Sequence, residues 1–275
     1  MTLSPREVTE LLGRYGLRPS RALGQNFVAD PNTVRRIARL AEVGPGDRVL
    51  EVGPGLGSLT RALAETGAAV TAVEADGHLL APLAETLADT PGVAVVHADA
   101  MRVDWDDLLD GRPGWVLVAN LPYNIATPLI ADLLDRVPLI QRMLVMVQRE
   151  VGERLVAHPG HAAYGAVSVK VAYWAEARLA GRVPAAVFQP RPNVESVLVD
   201  IRRRLAPAVD PERVPADRLF ELVRAGFATR RKMLRRALSG MVGPEAFAAA
   251  GVSPQDRAEQ LDVAAWGRLA EASRR

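Results

Sequence analysis

EVGPGLGSLT, residues Glu51–Thr60, joins an apolar run, Arg48–Val52, to a helical pattern, Ser58–Thr66. Gly53, Gly55 and Gly57 let the chain leave a strand, turn sharply and enter a helix, and they open the main chain to a close ligand. Such a loop occurs in more than one fold, so its surroundings decide. Downstream, strand-like runs at Ala69–Glu74, Val93–Ala98, Trp115–Ala119 and Met143–Gln148 alternate with helical patterns at His78–Ala88 and Ala126–Leu134. That alternation predicts an α/β fold with a parallel, doubly wound sheet. Upstream, Ser4-Pro5-Arg6-Glu7 is a capping box that starts a helix over 5–14, and Asp30-Pro31 opens a second helix to Ala41.

Toward the C-terminus, Ala166–Ala175 and Val194–Arg202 read as closing strands, with a hairpin among them. A proline-rich stretch, LAPAVDPERVP (Leu205–Pro215), follows. Beyond it only helical patterns occur, at Asp217–Phe227, Thr229–Leu238, Pro244–Ala249, Ser253–Glu259 and Asp262–Ala272. The expected division is therefore residues 1–205 as a ligand-binding α/β domain and residues 206–275 as a small all-helical domain.

The chain of 275 residues is 49% hydrophobic, enough to bury a sizeable core, and it has no cysteine. That excludes disulfides, a thiolate nucleophile and Cys-ligated zinc. His158 and His161 have metal-like spacing, but no nearby carboxylate completes a site, so no metal is expected. The first residues, MTLSPREVTELLGRYG, lack an apolar leader core, and no run is long enough to span a bilayer. The expectation is a soluble, cytoplasmic protein, monomeric and without membrane contact. Charge is uneven: residues 1–120 hold 11 Lys/Arg against 16 Asp/Glu, net −5, and residues 121–275 hold 23 against 16, net +7. A small-molecule half and a polyanion-facing half would produce this split.

The glycine spacing is G-x-G-x-G, whereas the dinucleotide fingerprint has its third glycine one place later. Glu51 also precedes the first glycine by two residues. A carboxylate there repels a pyrophosphate but suits an ammonium group, which favours S-adenosylmethionine over NAD. Glu74, at the end of the second strand, can accept both ribose hydroxyls. Asp99, at the end of the third, can accept from the adenine amine.

The fourth strand runs into NLPY, Asn120–Tyr123. None of these residues is an acid or base at neutral pH. An exocyclic adenine amine needs neither: its lone pair is delocalised into the ring, and two acceptors holding its N–H groups favour a pyramidal nitrogen. The Asn120 side-chain oxygen and the Leu121 carbonyl can be those acceptors. Pro122 fixes the turn, and Tyr123 can stack on a base drawn out of its helix.

LGQNF (Leu23–Phe27), EVGPGLGSLT, VEAD (Val73–Asp76), HADA (His97–Ala100), NLPYNIATPL and FQPRPNVESVLV (Phe188–Val199) occur in this order. Together they resemble the KsgA (RsmA) family, the small-subunit rRNA adenine dimethyltransferases, over about Arg21 to Asp200. The resemblance implies a Rossmann-like class I methyltransferase fold, with a seven-stranded, mainly parallel sheet and a small helical C-terminal domain. It implies N6,N6-dimethylation of two adjacent adenosines near the 3′ end of 16S rRNA in the small ribosomal subunit. It further implies S-adenosylmethionine contacts at Asn26, Val28, Gly53, Glu74, Asp99 and Asn120, with Tyr123 and Phe188 flanking the target adenine. Phe188 sits in a stiff proline-rich loop able to hold a ring. Val28 stands where leucine is more usual.

Two rivals are weighed against this. Large-subunit rRNA adenine methyltransferases of the erythromycin-resistance type share the motif order but more often have isoleucine before the proline or phenylalanine after it. A non-enzymatic RNA-binding assembly factor would not need the acceptor and cofactor residues, all intact here. In the helical tail, Arg224, Arg231, Lys232 and Arg235 fall in a stretch without acids. On one continuous helix, Arg224, Arg231 and Arg235 would share a face that could bind rRNA phosphates.

Overall fold

The computed structural model describes residues 3–20 and 23–273. Arg21, where the resembling segment begins, lies outside them. The chain divides into two compact units, Met1–Gly152 with Arg178–Arg202 and Glu153–Ala177 with Arg203–Arg275. The sequence reading cuts the chain once, after residue 205, whereas the contacts also carry 153–177 to the helical unit.

Seven strands form one sheet: β1 (Arg48–Val52), β2 (Ala69–Glu74), β3 (Val93–His97), β4 (Trp115–Asn120), β5 (Ile140–Gln148), β6 (Ala175–Val183) and β7 (Ser196–Arg203). Their order is β3-β2-β1-β4-β5-β7-β6. β1 pairs in parallel with β2 and β4, β2 with β3, and β4 with β5; β7 runs antiparallel to β5. Central strands are buried runs, as parallel strands covered on both faces must be: Val49, Leu50, Leu117 and Val118 have no exposure. β3 lies at the edge, and its Val95 is open to solvent. Because β1 lies between β2 and β4, the chain winds to opposite sides of it. A crevice opens at the carboxyl ends of the strands where the winding reverses.

The helix Pro5–Arg14 starts at the expected capping box, with Ser4 and Glu7 exchanging hydrogen bonds. Asp30 caps Pro31–Ala41 through the Thr33 N–H. That second helix is pinned at its far end by Arg142 of β5. The Arg142 guanidinium donates to the carbonyls of Leu40 (2.9 Å) and Ala41 (2.7 Å), to Glu42 (2.9 Å) and to Asp200 of β7 (2.8 Å). Asp200 is buried, which alone would raise its pKa, yet Arg142, Arg178 and Arg202 hold it below the ordinary aspartate value.

The helical unit contains the helices Ala166–Trp174, Ala216–Ala228, Leu234–Ala237, Pro244–Ala250 and Val263–Ala272. Its core includes Tyr173, Phe220, Leu222, Phe247 and the fully buried Trp266. Within the helix Ala216–Ala228, position 226 needs glycine, because a Cβ there would lie 2.6 Å from the Trp266 ring. Two expectations are corrected here. Ala166–Trp174 is a helix rather than a strand; the strand is the following stretch, β6. Its run of Val, Ala and Tyr is apolar on several sides, which fits either element, and Ser168 settles the first turn by accepting from the Gly165 N–H. Thr229–Leu238 is not one helix. The chain leaves the helix at Thr229, turns through a Lys232 N–H to Thr229 carbonyl bond, and re-enters one only at Leu234. Arg224, Arg231 and Arg235 therefore share no helical face.

Arg142→Ala should lower stability by about 3–5 kcal/mol, because it strands the buried Asp200 and uncaps a helix. Arg178→Ala, at an exposed arginine of the same cluster, should cost about 1 kcal/mol or less. Urea unfolding of both variants checks this; equal losses would remove Arg142 from its special place.

Candidate active site

A cleft of about 270 Å³ lies at the carboxyl ends of β1, β2, β3 and β4. It is lined by the segment 23–28, the loop after β1, Glu74–Asp76, Ala98–Met101 and the turn after β4. Its backbone geometry begins with the glycines, for Gly53, Gly55 and Gly57 all have positive φ, at 73°, 59° and 85°. A Cβ on Gly55 would lie 2.8 Å from the Phe27 ring, so glycine also lets the 23–28 segment close down on the loop.

Glu74 receives the Gly55 N–H on one carboxylate oxygen (3.0 Å) and the Asp76 N–H on the other (2.8 Å). Burial raises its pKa, and these donors oppose the rise. Each oxygen keeps a second lone pair for a hydroxyl donor. Glu51 is fully buried beneath the loop, and burial pushes its pKa up to about 8, with Glu74 nearby adding to the rise. Asp99 is exposed at the end of the edge strand and accepts from the Met101 N–H (2.9 Å). Asn26, Val28, Gly53, Glu74, Asp99 and Asn120 thus surround one cleft.

Asn120 ends β4. Its side-chain NH₂ donates to the main-chain oxygen of Asn26 (3.0 Å). A main-chain oxygen can only accept, so this contact fixes which way the amide points. The other end, Oδ1, is buried and finds no hydrogen-bond partner among the described residues; the same holds for Glu51 Oε2 and Ser58 Oγ. Buried polar atoms left single in this way mark a place for a ligand. Gln25 locks the segment that carries Asn26: its side-chain NH₂ donates to Asp76 (2.7 Å) and its oxygen accepts the Ser20 N–H (2.7 Å).

The remaining expected residues stand apart from the cleft. The Leu121 side chain is buried and its N–H donates to the Met146 carbonyl (3.1 Å). Tyr123 is half-buried, with its hydroxyl 3.0 Å from Ser196 Oγ. Phe188 is not held out on a loop. It is 3% exposed, paired with Val28 in a two-residue antiparallel ladder, and belongs to the buried core cluster that also holds Val28, Ile37 and Leu198. Arg224, Arg231, Lys232 and Arg235 are exposed on the helical unit. The reading from sequence missed Gln25, Ser58 and Ser196. Ser196 is 73 residues from Tyr123, and no local pattern announces the pairing. Among the described residues no cluster of His, Cys, Asp and Glu could hold a metal ion, and no helix is long and apolar enough to cross a membrane.

A nucleotide-sized cleft at the switch point, with acceptors for an ammonium group and a ribose and no cationic side chain among the described residues that line it, fits S-adenosylmethionine. Fold and site together define a class I S-adenosylmethionine-dependent methyltransferase. The family model described as ribosomal RNA adenine dimethylase matches residues 17–274. The chain belongs to that family. Ribosomal RNA small subunit methyltransferase A of Thermobifida fusca is 50% identical over 279 residues, covering 98% of this chain and 95% of its own. The protein of that name from Kineococcus radiotolerans is 50% identical over 277 residues, covering 98% and 90%. Among solved structures, the 23S rRNA methyltransferase ErmE aligns with a TM-score of 0.70 at 28% identity, over 90% of this chain and 99% of its own. A dimethyladenosine transferase from Plasmodium falciparum shares the fold, with a TM-score of 0.72 at 22% identity over 87% and 94%.

Glu51 yields a stability prediction. Its folded-state pKa lies above that of an unfolded carboxyl. Its contribution is therefore full below the unfolded value and is lost as pH rises through about 8, with a slope of at most about 1.4 kcal/mol per pH unit. Glu51→Gln should flatten this decline. Urea unfolding without cofactor at about pH 5.5 and about pH 8.5 measures it; the same decline in both proteins would mean that Glu51 is ionised in the fold.

Proposed function

We propose that this chain methylates N6 of two adjacent adenosines near the 3′ end of 16S rRNA, in the small ribosomal subunit, to N6,N6-dimethyladenosine. The observation that carries the reading is Asn120 Oδ1, an acceptor aimed by the Asn26 carbonyl and left without a partner. The small-subunit assignment is supported by relatives named for that subunit at 50% identity, against 28% for the 23S enzyme. The reading includes action as a monomer in the cytoplasm, where ribosomal RNA is the substrate.

S-adenosylmethionine, when bound, supplies an electrophilic methyl group on its sulfonium. Glu74 and Asp99 would hold its ribose and adenine, Glu51 and Ser58 its amino acid end, and Gly53, Asn26 and Val28 would wall it in. Asn120 Oδ1 and the Leu121 carbonyl accept the two N–H groups of the target amine and draw its lone pair out of conjugation. No side chain needs to remove a proton beforehand, since the nitrogen becomes strongly acidic only once alkylated. Tyr123 serves as the stacking platform. Phe188, buried against Val28, could join it only by leaving its packing. The exposed cations Arg224, Arg231, Lys232 and Arg235 are assigned to rRNA phosphates, as a loose basic surface rather than a helical stripe.

Asn120→Ala should slow single-turnover methyl transfer to under-methylated small subunits by roughly 10²–10³ while subunit binding survives. A rate within about threefold of wild type would discard the acceptor role. Arg231→Glu combined with Arg235→Glu should weaken subunit binding and make its salt dependence shallower, by roughly 0.7–0.9 in logarithmic slope per lost contact. Binding measured across a salt series reads both, and unaltered affinity and slope would put the RNA surface elsewhere.

A further inference from the structure

We propose that Ser196 is a positioning residue whose hydroxyl holds the Tyr123 ring in place for the incoming adenine. The inference rests on Tyr123 being the stacking platform. A ring serves as a platform only if it is held ready, and a tyrosine side chain is free to swing among the staggered wells of its Cα–Cβ bond. The backbone end of Tyr123 is already fixed. The Pro122 carbonyl accepts the N–H groups of both Ile125 and Ala126 (3.1 Å each), and Gly24 lies close by, since a Cβ on it would be 3.2 Å from the Tyr123 backbone nitrogen. What remains is the swing of the side chain about its Cα–Cβ bond.

The far end of the ring meets Ser196 Oγ at 3.0 Å. Ser196 has no solvent exposure and is the first residue of β7. It lies opposite Gln148 in the β5–β7 ladder, and the neighbouring Glu195 carbonyl accepts the Arg149 N–H (3.0 Å). The anchor is therefore part of the sheet, not a mobile loop. Partial burial raises the phenol pKa, so Tyr123 stays neutral and able to share the hydrogen bond. A ring fixed at both ends loses little further freedom when a base stacks on it, which is the benefit of preorganisation. Phenylalanine would offer the same face but only one fixed end. The residue is tyrosine, on this account, for the tether rather than for acid–base chemistry.

The test is single-turnover methyl transfer to under-methylated small subunits at saturating S-adenosylmethionine, with the full chain carrying Ser196→Ala, Tyr123→Phe, both, or Tyr123→Ala. Cofactor affinity is measured on each by calorimetry. Ser196→Ala and Tyr123→Phe should each slow transfer roughly three- to tenfold, the effect of one hydrogen bond. The double variant should be no slower than the slower single, because both remove the same contact. Cofactor affinity should stay within about twofold of wild type, which a general loosening of the fold would not allow. Tyr123→Ala should be slower than any of these. If Tyr123→Ala is impaired while Tyr123→Phe transfers at the wild-type rate, the tether is wrong and the platform stands. Additive losses in the double variant also overturn the tether. If Tyr123→Ala itself keeps the wild-type rate, the stacking reading falls and takes the tether with it. Should Ser196→Ala fail to fold, Tyr123→Phe removes the same bond from the half-buried side and decides the matter.

Discussion

The contact on which the site depends is the hydrogen bond from the Asn120 side chain to the main-chain oxygen of Asn26. It does two things at once. It settles which end of a symmetrical-looking amide faces the cleft, and it ties the end of β4 to a segment 94 residues earlier that forms the opposite wall. The wall is itself held by Gln25 on Asp76, and Asp76 donates its N–H to Glu74. The 23–28 wall, the Glu74 carboxylate and the Asn120 amide are thereby linked by short, directional bonds. Beneath it, burial pushes the Glu51 pKa up to about 8.

That arrangement is set in a sheet whose central strands are buried. Glu51, Ser58 and Asn120 each present a buried polar atom with no partner, and such atoms oppose folding. They persist because β1 and β4 are buried on both faces and because Phe27 closes the glycine loop from above. Sites that bind a polar ligand tightly share this tension: the groups awaiting the ligand are unsatisfied until it comes.

The α/β architecture was legible because parallel central strands write themselves as unbroken apolar runs, and the runs at Arg48, Ala69 and Trp115 begin where expected. The positions around the cleft were legible for the same reason: a strand end beside a glycine loop can hardly point elsewhere. What sequence could not convey was anything set by distant packing. Ala166–Trp174 is apolar enough for either element, and the helical unit chose for it. The basic stretch 224–236 breaks at Thr229, so its supposed stripe dissolves. Phe188 looked like a ring on a stiff loop and is instead a core side chain laddered to Val28. The partnership of Tyr123 and Ser196 spans the sheet and leaves no local trace.

The central claim is that this site transfers a methyl group with fixed acceptors and no general base. The pH dependence of single-turnover methyl transfer, at saturating cofactor and with pre-bound small subunits, tests it most directly. The account predicts a rate that is level between about pH 6.5 and about pH 9, because neither Asn120 nor the Leu121 carbonyl titrates there. A rate that rises tenfold per pH unit to a plateau in that range, and loses the slope when one carboxylate is replaced, would reveal a base and contradict it.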